Sequence, residues 1–115
     1  MYKLLILLLA ISYAVDSQSS VPTIENYQNR PTPDAFDPYI YGLEGGLEWA
    51  QEYIFSRHSL DFFCKPNDLI LSAAQLRGLI DKEIKENISF YSKYKDAPLI
   101  GLALRNAYMS EFPCN

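Results

Sequence analysis

The sequence is poor in the residues that chemistry needs. It has one histidine and two cysteines in 115 residues. A cysteine or serine nucleophile needs a base beside it, and His58 is the one histidine that could serve. A lone histidine at a helix end reads instead as a cap or surface residue, and Cys64, the nearest thiol, is better used in a disulfide. One histidine and two widely separated cysteines match no zinc spacing. There is no glycine-rich phosphate loop. No catalytic residue, metal ligand or cofactor is therefore expected. Clusters of basic residues are missing as well, and the formal net charge is −4. That balance argues against nucleic acid and against anionic membrane surfaces, and suits a basic protein partner. Strand-like alternation, Asn-Gly and Asp-Gly turns and internal repeats are also absent. What remains is an all-α fold.

The apolar run at the start, Leu4 to Ile11, is too short to span a bilayer, which takes about 20 apolar residues. It follows Met1-Tyr2-Lys3 and leads to the small residues of Ser12-Tyr13-Ala14 and Val15-Asp16-Ser17. This is the pattern of a secretory signal peptide, residues 1–17, cleaved between Ala14 and Ser17. Residues 18–36 are polar and carry Pro22, Pro31 and Pro33, which predicts a flexible, extended linker. Residues 37–115 form the helical domain. Export would put Cys64 and Cys114 where disulfides persist. If paired, they close a loop of about 50 residues, for which the chain-entropy estimate is roughly 4 kcal/mol. The alternative is two buried free thiols.

Asp37-Pro38 suits a helix start, with Asp as N-cap and Pro in the first turn. Ile40, Leu43, Leu47, Ala50 and Ile54 then recur at helical spacing and predict a buried face, flanked by Trp49 and Tyr53. Gly42, Gly45 and Gly46 each weaken a helix by about 1 kcal/mol relative to Ala, a cost that makes sense if another helix approaches closely. Ser72 and Gln75 have capping-box spacing and open a second helix with Leu76, Leu79, Ile80 and Ile84 as its apolar stripe. Asp81/Lys85 and Lys82/Glu86 are i,i+4 pairs on its wet side. Asn87 ends it. Ile88 to Lys95 is a short helix or a protruding loop. Asp96-Ala97-Pro98 opens a last helix, apolar nearly all round and so central, running to about Glu111. The expected architecture is a small bundle of about four helices with one disulfide.

Two surfaces stand out. Glu44, Glu48 and Glu52 lie four residues apart on one helix face, a solvated stripe or a docking face for a basic partner. Ser89 to Lys95 lacks an apolar period, so Tyr91 and Tyr94 are not obviously needed by the core. Beside Lys93 and Lys95 they have the make-up of interface anchors. The alternative is that both tyrosines pack under the segment and close the core. Asn87-Ile88-Ser89 matches the N-glycosylation pattern, a short motif common by chance.

The run Phe63-Cys64-x-Pro66, then Gln75-Leu76 opening an amphipathic helix, then an apolar helix ending in Phe112-Pro113-Cys114, resembles the Tai family. These are immunity proteins against type VI secretion amidase effectors, and they include the resistance-associated proteins. Tyr41-Gly42-Leu43-x-x-Gly46 is similar to the family's first helix. The resemblance covers roughly residues 39–115. The segment Asn87–Asp96 departs from it, with aromatic and basic residues where the family often has a His-Pro-type turn. The resemblance implies a helical periplasmic protein that is not an enzyme. Its partner would be a cognate secreted cysteine amidase that cuts peptidoglycan stem peptides, and it would be a homodimer. It would have no nucleic acid partner and no membrane attachment after signal cleavage. It also implies a protruding segment that enters the amidase groove, here Ser89, Tyr91, Ser92, Lys93, Tyr94 and Lys95, with Glu44, Glu48 and Glu52 as the alternative docking face. A different class fits the same composition: a small disulfide-stapled periplasmic chaperone that opens at low pH.

Overall fold

The computed structural model describes residues 21–115. The expected signal peptide and the first residues of the expected linker lie outside them. Among the described residues there are five helices and no strand: α1 (Ile24–Gln28), α2 (Asp37–His58), α3 (Ala73–Glu86), α4 (Ile88–Lys93) and α5 (Ile100–Glu111). The fold is all-α, and Cys64 is bonded to Cys114.

The linker expectation is corrected from residue 21 onward, because α1 belongs to the core. The Thr23 hydroxyl accepts from the Asn26 N–H at 3.0 Å, and the Asn26 carboxamide oxygen accepts from the Thr23 N–H at 3.0 Å. This capping box satisfies two donors that a helix start leaves unpaired. Ile24 and Tyr27, one turn apart, are both fully buried. The helix start is tied to the far end of the chain: Ile24 N–H donates to Ala97 O at 3.2 Å and Glu25 N–H to Lys95 O at 2.9 Å. Tyr27 OH donates to Asp81 Oδ1 at 2.8 Å. Burial, then the bond to the Asp81 carboxylate, push the phenol well above its ordinary range.

Helix α2 begins at Asp37 itself, with Phe36 at the cap position, so Asp37 is not the N-cap. Its carboxylate instead accepts from Arg77 Nη1 at 2.7 and 2.6 Å, joining the start of α2 to α3. A carboxylate also suits the positive end of the helix dipole. The second helix starts as the spacing predicts, with Ser72 and Gln75 bonded reciprocally at 3.2 and 2.8 Å. Leu76, Ile80 and Ile84 are buried against α5, whose inner face supplies Ile100, Ala103, Leu104 and Tyr108. The i,i+4 pairs are not what α3 uses: Asp81 serves Tyr27, and Lys82 lies 4.0 Å from Glu111. At Gly101 a side chain would meet Leu43 at 3.3 Å, so this glycine permits the close approach of α5 to α2.

The two cysteine segments meet over the core. Cys64 N–H donates to Phe112 O at 2.7 Å. The Tyr108 ring stands edge-on to Phe63 and Phe112, with centroids 5.0 and 5.4 Å away.

Candidate binding surfaces

Tyr91 is 1% exposed, so it is a core residue and not a partner anchor. Asn87 ends α3 and starts α4 with no intervening loop, and this turn aims Tyr91 back at the core. Its OH donates to Glu83 Oε2 at 2.7 Å. Burial first, then the Glu83 carboxylate, hold the phenol well above its ordinary range. The other five expected residues, Ser89, Ser92, Lys93, Tyr94 and Lys95, are all exposed. Tyr94 is 43% exposed, and its ring centroid lies 5.1 Å from that of Phe90, which is exposed too. Lys93 Nζ stands 5.4 Å from the Tyr94 ring centroid, and Lys95 lies 3.8 Å from Glu25. The segment is thus a short helix bolted down by Tyr91, with Phe90 and Tyr94 on its outer side. Ile88 and Phe90 belong to this surface and were not singled out from the sequence. The i,i+4 spacing of Phe90 and Tyr94 is the signal that marks them.

The glutamate stripe is divided among different tasks. Glu44 is half-buried, and its Oε1 accepts from Tyr108 OH at 3.2 Å. Burial, then the neighbouring Glu48 charge, raise its carboxyl above the ordinary range. Glu48 lies 3.0 Å from Lys65 Nζ, an ammonium that also donates to the Leu69 carbonyl. Glu52 is exposed and has no ion pair among the described residues. Gln51 holds the returning chain: its amide donates to Asp61 Oδ1 at 2.6 Å, and its carbonyl accepts from the Phe62 N–H at 2.6 Å. Glu48, Gln51, Glu52, Asp61 and Lys65, but not Glu44, border a groove of about 570 Å³ between α2 and residues 61–67, with Phe55 and Phe63 as apolar walls. A docking face made of three free carboxylates is not what the fold presents.

A third surface is the outer face of α2. The buried stripe runs from Ile40 through half-buried Leu43 and Leu47, and then weakens. Ala50 is exposed and Ile54 half-buried, so the described residues leave this end of the stripe only partly covered. Trp49 is 72% exposed, Tyr53 54% and Phe55 56%, with Leu60 and Phe62 exposed just beyond. The expected close approach of a helix to Gly42, Gly45 and Gly46 does not occur among the described residues. A Cβ added at any of the three meets nothing within 4 Å.

His58 is exposed at the end of α2. The grouping of potential ligand atoms found among the described residues joins Asp61 to Cys64 and Cys114, whose sulfurs are bonded to each other. Disulfide sulfurs offer no thiolate for a metal. No described helix is long and apolar enough to cross a membrane.

No family model, curated protein or solved structure matches the chain.

Proposed function

We propose that this chain is an exported, non-catalytic inhibitor: a periplasmic immunity protein that occupies the catalytic groove of a type VI secretion peptidoglycan amidase. It would protect the producing cell from its own or a sibling's toxin. The reading rests on the unit formed by Phe63, Cys64, Phe112 and Cys114. These residues carry the resemblance stated from sequence, and they form one element joined by a covalent bond, a backbone hydrogen bond and the edge-on contacts that both phenylalanine rings make with Tyr108. Two short motifs that cooperate physically are harder to meet by chance than two that merely share a chain.

The docking element in this reading is the outer side of α4. Phe90 and Tyr94 are aromatic, exposed and packed on each other, while Tyr91 holds the helix rigid beneath them. Rigid aromatic side chains lose little conformational entropy on binding, and residues of this kind dominate interface energetics.

The test is titration of the oxidised protein into a small secreted cysteine amidase encoded beside its gene, with hydrolysis of peptidoglycan stem peptides as readout. Stoichiometric inhibition at neutral pH is expected. Phe90→Ala and Tyr94→Ala should each weaken it by about 2 kcal/mol or more, the usual hot-spot loss. Full amidase activity in the presence of excess protein, with suppression of aggregation of unrelated clients at low pH, would replace this reading with the chaperone one.

A further inference from the structure

The disulfide lies open beside a carboxylate. Cys64 and Cys114 are bonded to each other, and both are exposed among the described residues. A carboxylate oxygen of Asp61 and the two sulfurs all lie within 4.8 Å of one another. Asp61 is held in that place from α2. The Gln51 amide donates to Asp61 Oδ1 at 2.6 Å, and the same side chain accepts from the Phe62 and Phe63 N–H groups at 2.6 and 3.3 Å. One carboxamide therefore fixes both the backbone that runs into Cys64 and the charge beside its sulfur. Cys64 also lines the groove between α2 and residues 61–67, where Glu48, Glu52 and Asp61 stand against the single ammonium of Lys65. That ammonium lies 3.0 Å from Glu48 and donates to the Leu69 carbonyl. No ion pair among the described residues includes Asp61.

We infer that this disulfide is a thiol-exchange site gated by charge: the Asp61 carboxylate repels anionic thiols from it and admits cationic ones. The reductant is a low-molecular-weight thiol, which reacts as its thiolate. The thiolate attacks one cysteine sulfur in line with the S–S bond. A bond forms between the incoming sulfur and that cysteine, the S–S bond breaks, and its electron pair leaves on the other cysteine as a thiolate. A second thiolate then attacks the small-molecule sulfur of the mixed disulfide and expels the remaining cysteine as a thiolate, giving a small-molecule disulfide. Two electrons pass from two thiols to the protein, and both cysteines take protons from water. In the first step a full negative charge enters and spreads over three sulfurs, two of which belong to the protein. Those two lie within 4.8 Å of the Asp61 oxygen. Unit charges at that range in water repel enough to slow the approach about fourfold, and more in the lower dielectric beside a protein wall. The carboxylates of the groove extend this field outward. A thiol that carries its own carboxylate is repelled further, and one that carries an ammonium is not. The inference stands apart from the inhibitor reading and uses none of it.

The experiment reduces the oxidised full chain with three thiols of similar size: neutral 2-mercaptoethanol, anionic 3-mercaptopropionate and cationic cysteamine. Each is used in large excess at matched low ionic strength. Samples are quenched with N-ethylmaleimide, and the opened protein is counted by mass. Asp61→Asn keeps an oxygen to accept from Gln51 and removes the charge. Relative to the parent, it should speed reduction by 2-mercaptoethanol about fourfold, by 3-mercaptopropionate more, and by cysteamine less than about twofold. Taking the ratio for each reagent cancels differences in thiol pKa and nucleophilicity. Added salt should shrink the spread among the three ratios. Asp61→Glu keeps the charge and should keep the selectivity of the parent. An equal acceleration of all three thiols by Asp61→Asn would mean that the substitution only loosened the segment, and overturns the inference. Rates that Asp61→Asn leaves unchanged overturn it as well, and so does a parent disulfide that none of the three thiols opens without denaturant.

Discussion

Phe63 and Tyr108 meet edge to face with ring centroids 5.0 Å apart, which ties the first cysteine segment directly to the central helix α5. Phe63 is buried, and the next residue carries the disulfide. Deleting this ring opens a cavity at the point where the two halves of the chain are joined. Phe63→Ala should cost about 3–5 kcal/mol in urea unfolding, as truncations of buried aromatics do. A loss of less than about 1 kcal/mol would mean that the disulfide alone holds the segment, and that the ring contact adds little.

The disulfide joins positions with a sequence separation of 50. Closing a loop of that length removes about 4 kcal/mol of chain entropy from the unfolded state, in the entropic account. For a small domain this is a large share of a net stability of about 5–15 kcal/mol. The double variant Cys64→Ala/Cys114→Ala should therefore lose about 2–5 kcal/mol, with a lower denaturation midpoint. Equal stability of the parent protein in the presence and absence of reductant would contradict it.

The long helices were legible because their apolar periods are regular, and the capping box at Ser72 and Gln75 gave the start of α3. The helix α1 was not legible. Five residues are too few for a period, and its two core side chains, Ile24 and Tyr27, sit among polar residues and prolines. Only their tertiary contacts, with Ala97 and Asp81, reveal them. Tyr91 was misjudged for a related reason. A six-residue helix does not show which of three nearby aromatics faces inward until the turn at Asn87 fixes its rotation. The stripe on α2 failed in the opposite sense. Its period continues past Leu47 to Ala50 and Ile54, but periodicity cannot say whether anything lies there to cover it.

Tyr91 and Tyr94 should therefore respond in opposite ways to truncation. Tyr91→Ala removes a buried ring and leaves Glu83 without its hydroxyl donor, and should cost about 3–5 kcal/mol. Tyr94→Ala removes an exposed ring whose ring contact is with Phe90, and should cost no more than about 1.5 kcal/mol. Thermal or urea unfolding of the pair checks this. A comparable loss in both would return Tyr94 to the core and remove it from the candidate surface.

Glu44 should make the protein's stability respond to pH against the usual trend for a carboxylate. Its carboxyl lies half-buried beneath Tyr108, with Glu48 one turn away, and its folded-state value is raised above the ordinary 4.5 by burial and then by the Glu48 charge. The folded state therefore holds this proton more tightly than the unfolded state does. Below the ordinary value Glu44 is protonated in both states and adds no penalty. As pH rises from there through the raised value, folding must oppose ionisation, and stability is lost. Lys65 is paired to Glu48 and the Tyr108 hydroxyl donates to Glu44, which limits the effect without reversing it. Glu44→Gln keeps an oxygen to accept from Tyr108 and removes the charge. It should melt at a higher temperature than the parent at pH 7.5, and the difference should close as the pH approaches 4. Calorimetry of both proteins across that interval checks the sign. A variant that is less stable at pH 7.5, or a gap that does not change with pH, would show that the ionised Glu44 is a favourable partner for Tyr108 and not a strained one.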